Sequence, residues 1–188
     1  MRRRGLLAAA AIALTALGAS LDGLTAAVTQ VGPFALDRTD GGRLDALQLD
    51  GAPYVVVFGF MRCPDVCPTT LNDLALALKL LGRAGESLRA FFIDIDPERD
   101  DAGALKAFLA SFDPRIVGLT GSPAEVAAAA RAFGASARKA GLPDGGYTME
   151  HSSGLFVVDA NGLLVDRISP SDPPEAIAAR LRRWIEGG

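Results

Sequence analysis

Residues Tyr54-Val55-Val56-Val57-Phe58-Gly59-Phe60 form an unbroken β-branched and aromatic run that leads within three residues into Cys63-Pro64-Asp65-Val66-Cys67-Pro68. No polar residue interrupts the run, so neither face of the strand can meet water. It must lie inside a sheet covered on both sides. Pro68 suits the first turn of a helix. Leu71, Leu74, Ala75, Leu78 and Leu81 then recur at helical spacing until Gly82 stops the pattern. The only two cysteines of the chain therefore stand on the turn between a buried strand and the helix it feeds.

The remaining chain repeats that alternation. Strand-like pieces are expected at Phe34–Leu36 and Ala46–Leu49, on either side of an Asp40-Gly41-Gly42 turn. Ala90–Ile95 reads as a second buried strand. Asp100 or Asp101 can cap the next helix, which turns Leu105, Phe108, Leu109 and Phe112 inward. A short strand, Ile116–Leu119, precedes a capping box at Ser122-Pro123-Ala124-Glu125. The helix it opens carries Val126, Ala129, Ala130 and Phe133 on one stripe. Residues 141–150 are expected to be a turn-rich loop. Gly154–Val158 and Leu163–Ile168 read as a hairpin, and Asp172-Pro173-Pro174 opens a last helix with Ile177, Leu181 and Trp184 inward. Strands joined by helices imply an α/β fold: a central, mostly parallel sheet with helices on both faces and a C-terminal antiparallel hairpin. A cysteine motif at the first strand-to-helix turn of such a pattern resembles the thioredoxin-like arrangement.

A chain of 188 residues is sufficient for one domain with a real core. The formal charge of −3 and the lack of a basic stripe argue against a nucleic-acid partner. The N-terminus stands apart. Met1-Arg2-Arg3-Arg4 is followed by residues 5–21, which carry no charge. Residues 1–21 are expected to be a signal peptide or an N-terminal membrane anchor, 22–29 a linker, and 30–188 the folded domain. Export would place the cysteines where thiols oxidise unless a metal or a reductase holds them. The pair is then a disulfide, a redox couple or a metal site.

Two sulfurs on one side of a helix N-terminus suit either metal binding or thiol exchange, because the helix end favours the thiolate. His151 is the only histidine in the chain. Alone it reads as a surface-loop residue. With Cys63 and Cys67 it completes a set of two thiolates and an imidazole, which suits Cu(I). Structural zinc would want a fourth protein ligand. For Cu(II), an acidic residue such as Asp65 or Glu150 could add a weaker oxygen ligand. Met61 and Met149 flank the set, although methionine more often fills a core than binds copper.

The residues now assembled resemble the Sco/SenC family. Gly59-Phe60-Met61-Arg62-Cys63-Pro64-Asp65-Val66-Cys67-Pro68 is similar to its signature, Ile95-Asp96-Pro97-Glu98-Arg99-Asp100 to a second block, and Glu150-His151-Ser152-Ser153 to a third. Gly32-Pro33-Phe34 resembles the family's entry into the domain. The resemblance implies a thioredoxin-like copper metallochaperone rather than an enzyme, with Cys63, Cys67 and His151 as metal ligands. The expected role is delivery of copper to the CuA site of cytochrome c oxidase. The implied partners are the CuA-bearing subunit, a copper donor protein and a thiol reductase. The implied location is exported and periplasmic, tethered to the inner membrane where the N-terminal segment is retained. Glu150, Met61 and Asp94 depart from the usual residues at their positions. The competing function is an exported thiol-disulfide oxidoreductase that cycles Cys63 and Cys67. A peroxidase-like enzyme would need an activated cysteine with peroxide-binding partners, and no second set of residues supplies them.

Overall fold

The computed structural model describes residues 29–49, 51–64, 66–143 and 145–187. The expected signal or anchor (1–21) lies outside the described residues, as does the expected linker except for Thr29. Among the described residues ten strands run in chain order: β1 (Thr29–Gln30), β2 (Ala35–Arg38), β3 (Arg43–Asp45), β4 (Tyr54–Gly59), β5 (Arg89–Asp94), β6 (Ile116–Thr120), β7 (Ala137–Gly141), β8 (Tyr147–His151), β9 (Leu155–Val158) and β10 (Leu163–Ile168). Four α-helices join them: α1 (Val66–Leu81), α2 (Ala102–Ala110), α3 (Pro123–Ala132) and α4 (Pro174–Glu186).

Strand β4 lies inside an eight-stranded sheet of order β1-β10-β9-β4-β5-β6-β2-β3, and all six of its residues are buried. The pleat sends Tyr54, Val56 and Phe58 to one face and Val55 and Val57 to the other. The first face packs against Val126, Ala129, Ala130 and Phe133 of the α3 segment. The second packs against α1, α2 and α4 through Leu71, Leu74, Leu78, Leu105, Leu109, Ile177 and Leu181. Helices therefore cover both faces, as the unbroken run requires. The centre of the sheet, β4, β5 and β6, is parallel, as expected for strands joined by helices. Antiparallel strands continue on both sides: the β9–β10 hairpin beside β4, and the β2–β3 hairpin beside β6. The helix caps are those read from the sequence. Asp101 accepts from the amides of Gly103 and Ala104, and Ser122 and Glu125 form the capping box of α3.

Two segments differ from expectation. Ala46–Leu49 is a 3-10 helix rather than a strand. The Asp45 carboxylate accepts from the Leu47 amide at 3.0 Å and starts the turn before a ladder can form. Residues 141–150, expected to be a loop, include the end of one arm of a hairpin at Gly141 and most of the other from Tyr147. In it β7 and β8 pair antiparallel as a separate two-stranded sheet, with Ala137 opposite His151 and Gly141 opposite Tyr147.

Register also fixes where the described chain enters. Thr29 pairs with Leu164, Leu164 with Val158, and Val158 with Tyr54, the first residue of β4. The chain thus joins the sheet at the base of β4, and the cysteine turn leaves from its other end.

Phe133 is the hub of the α3-side core. Its ring meets those of Phe34 and Phe58 at centroid distances of 5.5 Å, Phe156 at 6.1 Å and Tyr54 at 6.4 Å. Phe133→Ala would leave a cavity lined by four aromatic rings. It is expected to lower stability by about 3–5 kcal/mol in urea unfolding.

Candidate metal centre

The structure brings the three sequence-predicted residues together. The Cys63 and Cys67 sulfurs and an imidazole nitrogen of His151 all lie within 4.8 Å of one another. Cys63 is part-buried on the turn after β4, and Cys67 is buried as the second residue of α1. An amide in a helix's first turn has no partner within the helix. The Cys67 amide uses this freedom to donate to the Cys63 sulfur at 3.4 Å. Pro68, next in line, has no amide to satisfy.

His151 arrives from β8, not from a loop. It reaches the cysteine end because the strand it precedes runs antiparallel to β4, with Leu155 opposite Val57. The imidazole is oriented on both sides. Nδ1 lies 3.0 Å from the Ser152 carbonyl, which can only accept, so Nδ1 carries the hydrogen. The lone pair of Nε2 then faces the Cys67 sulfur at 3.7 Å. Such a backbone acceptor is the usual way a ligating histidine is held in one tautomer. The buried Phe60 ring stands edge-on to the imidazole at 6.1 Å.

Two glycines make the approach possible. A Cβ on Gly59 would stand 2.9 Å from the Cys67 sulfur and 2.7 Å from the Phe92 ring. Gly154 has φ +96°, and a Cβ there would come within 2.4 Å of the Ile168 carbonyl oxygen. Neither Gly59 nor the Ser152 carbonyl was singled out from sequence. Gly59 carried a legible signal, as a glycine ending an otherwise bulky buried strand.

The helix end was expected to favour the Cys67 thiolate. Burial outweighs it, aided by the neighbouring Cys63, and the Cys67 thiol is pushed up to about 12. Cys67 therefore keeps its proton at neutral pH, and a metal bound through this sulfur would have to displace it.

The other candidates separate cleanly. Asp65 lies outside the described residues. Glu150 alternates to the opposite face of β8 from His151 and pairs with Arg138 on the surface. Met61 and Met149 pack against the two core clusters. The segment between β5 and α2 contributes support instead of ligands. The Asp100 carboxylate accepts from the Met61 amide at 2.7 Å, two residues before Cys63. Asp94 is fully buried, accepting from the Asp96 amide and the Thr120 hydroxyl. Burial, and the nearby Asp100 and Asp96 charges, push its carboxyl up to about 7.

Comparison with known proteins follows the same lines. A profile of the family described as SCO1/SenC matches residues 23–186. Protein SCO1 homolog 1, mitochondrial, from Arabidopsis thaliana is 37% identical over 128 residues, covering 68% of this chain and 38% of that protein. Protein SCO2 homolog, mitochondrial, from Danio rerio is 34% identical over 158 residues, covering 82% of this chain and 57% of that protein. The chain thus spans about two fifths to three fifths of the length of these relatives. The structure of Bradyrhizobium japonicum ScoI with copper bound superimposes with a TM-score of 0.76 at 37% identity, covering 83% of this chain and 99% of that one.

Two predictions follow from the electrostatics. Iodoacetamide at neutral pH is expected to alkylate Cys63 and spare Cys67 in the native protein, read by peptide mass spectrometry; equal labelling would contradict the protonated, buried thiol. For Asp94, the folded protein holds the proton more tightly than the unfolded chain. Its contribution to stability is therefore full below about pH 4 and declines as pH rises towards about 7. Asp94→Asn should flatten that decline when unfolding is measured across the interval.

Proposed function

Because the chain belongs to the SCO1/SenC family, we propose that it is a copper-binding metallochaperone that carries copper on Cys63, Cys67 and His151. The observation that carries the reading is the convergence of two sulfurs and one oriented imidazole within 4.8 Å at one end of the sheet. Two thiolates select a soft ion, and three protein ligands match Cu(I) without the fourth that structural zinc wants. A groove of about 420 Å³ opens in front of Cys63 and His151, lined also by Phe60, Pro64, Val66 and Met149, with Cys67 buried behind it. A cargo ion held there is within reach of an incoming ligand from a partner, which is what transfer requires. The expected recipient is the CuA-bearing subunit of cytochrome c oxidase, supplied through a copper donor, with a thiol reductase keeping the cysteines competent.

Location follows the same reasoning. The relatives include mitochondrial and bacterial proteins. Among the described residues no helix is long and apolar enough to cross a membrane. We assign residues 1–21 as the export signal or inner-membrane tether and 30–188 as the copper-binding domain on the periplasmic side.

The thiol-disulfide reading rests on the same geometry, since the Cys63 and Cys67 sulfurs stand within reach of one another. Joining them releases two electrons and two protons to an oxidised thiol partner. It also removes the thiolates that Cu(I) needs, so the two activities would alternate at one site. His151 separates them: copper needs it and exchange does not.

The test is a titration of the reduced full chain with Cu(I) against a competing chelator, in wild type and His151→Ala. One tight equivalent is expected, sharply weakened in the variant, with disulfide formation between the cysteines intact. Unchanged affinity in H151A would remove the histidine from the site. Apparent affinity should rise with pH across the neutral range, because Cys67 must give up its proton, by up to about tenfold per pH unit for each proton released.

A further inference from the structure

Among the described residues, no ladder hydrogen bond joins the hairpin that carries His151 to the main sheet. The pairing of β9 with β4 brings His151 to the cysteine end, but how the hairpin itself lies there is left to side-chain contacts. Three polar links tie the hairpin to the segment Asp96–Arg99. The Arg99 Nη1 donates to the Tyr147 carbonyl at 2.7 Å, the Tyr147 hydroxyl donates to Asp96 Oδ1 at 2.8 Å, and Lys139 pairs with Glu98. Arg99 closes the arrangement. Its Nε donates to Asp96 Oδ2 at 2.5 Å, and its guanidinium lies 3.8 Å from the centroid of the Tyr147 ring. One planar group thus holds a carboxylate, a carbonyl and an aromatic face together, a combination that a lysine cannot reproduce.

The same segment also grips the cysteine turn. Asp100, adjacent to Arg99, accepts from the Met61 amide, and the amides of Arg99 and Asp100 both donate to the Asp96 carbonyl at 3.0 Å. The segment is therefore a bracket with two arms. One arm ends two residues before Cys63, the other four residues before His151.

We propose that Arg99 is a positioning residue for the metal centre: by locking Tyr147 of β8 onto Asp96, it sets the distance from the His151 imidazole to the two cysteine sulfurs. The inference rests on the copper reading above for its ligand, and on the hairpin's lack of ladder pairing with the sheet for its mechanism. Arg99 touches no metal ligand; it acts through Tyr147 and the strand that follows.

The experiment is a double-mutant cycle in the reduced full chain, with Cu(I) affinity as the readout. Arg99→Ala is expected to weaken binding by about 10–100-fold, the usual cost of removing an outer support of a metal site. In a His151→Ala background the same change should cause no further loss. An equal loss in both backgrounds would mean a general effect on the fold or on the cysteine turn, and would overturn the proposal, as would no loss in either. A second arm needs no copper. In the metal-free protein R99A should speed amide exchange across Tyr147–His151 while leaving β4 and β5 unchanged, and unchanged exchange in β8 would sink the idea. If wild type fails to bind Cu(I), the functional reading falls and the exchange arm alone decides the positioning role. Should R99A fail to fold, Arg99→Lys, which keeps the charge beside Asp96 but not the fork, carries the same two readouts.

Discussion

Burial of β4 on both faces is the constraint from which the rest of the molecule follows. Tyr54, Val56 and Phe58 need one helical layer and Val55 and Val57 another, so the sheet must be sandwiched. The cysteines stand on the turn where this buried strand leaves the sheet and feeds α1. Gly59, the last residue of the strand, has no side chain, and the space this leaves is occupied by the Cys67 sulfur and the Phe92 ring. Core packing and site geometry are here the same fact viewed from two sides.

The electrostatics of the centre turn on a contest between a helix end and desolvation. The first turn of α1 favours negative charge, but Cys67 is buried at its second position with another sulfur beside it, and the proton stays. The imidazole resolves the remaining ambiguity, since the Ser152 carbonyl takes one nitrogen and leaves the other for Cys67. Glu150, on the other face of β8, is engaged by Arg138 at the surface.

Much of this was legible beforehand because it is written in periodicity. The buried strand, the helix spacing from Leu71 to Leu81, the Ser122–Glu125 box and the terminal hairpin each rest on local pattern, and each is found. The three converging residues were legible through chemistry, as the chain's only cysteines and only histidine. The β7–β8 hairpin was not. Its first strand, Ala137-Arg138-Lys139-Ala140-Gly141, is largely exposed and shows no apolar alternation, and its second is bordered by Gly145 and Gly146. Pairing there depends on a partner strand that no local pattern announces. The 3-10 turn at Ala46–Leu49 was missed because its apolar residues look like a strand, whereas an Asp45 side chain decides the backbone. The segment Ile95–Asp100 was legible as a block resembling the family's and as a candidate helix cap, but the Arg99 bracket was not, since which partner each charge would choose is a tertiary matter.

The entry of the chain beside the first residue of β4 has a consequence for access. The six residues of β4 separate that entry from the cysteine turn by about 20 Å at the rise of an extended strand. An attachment through the tether proposed for residues 1–21 would pull at the foot of the sheet, and the fold would then serve as a short mast that sets the three converging side chains one strand length from its base.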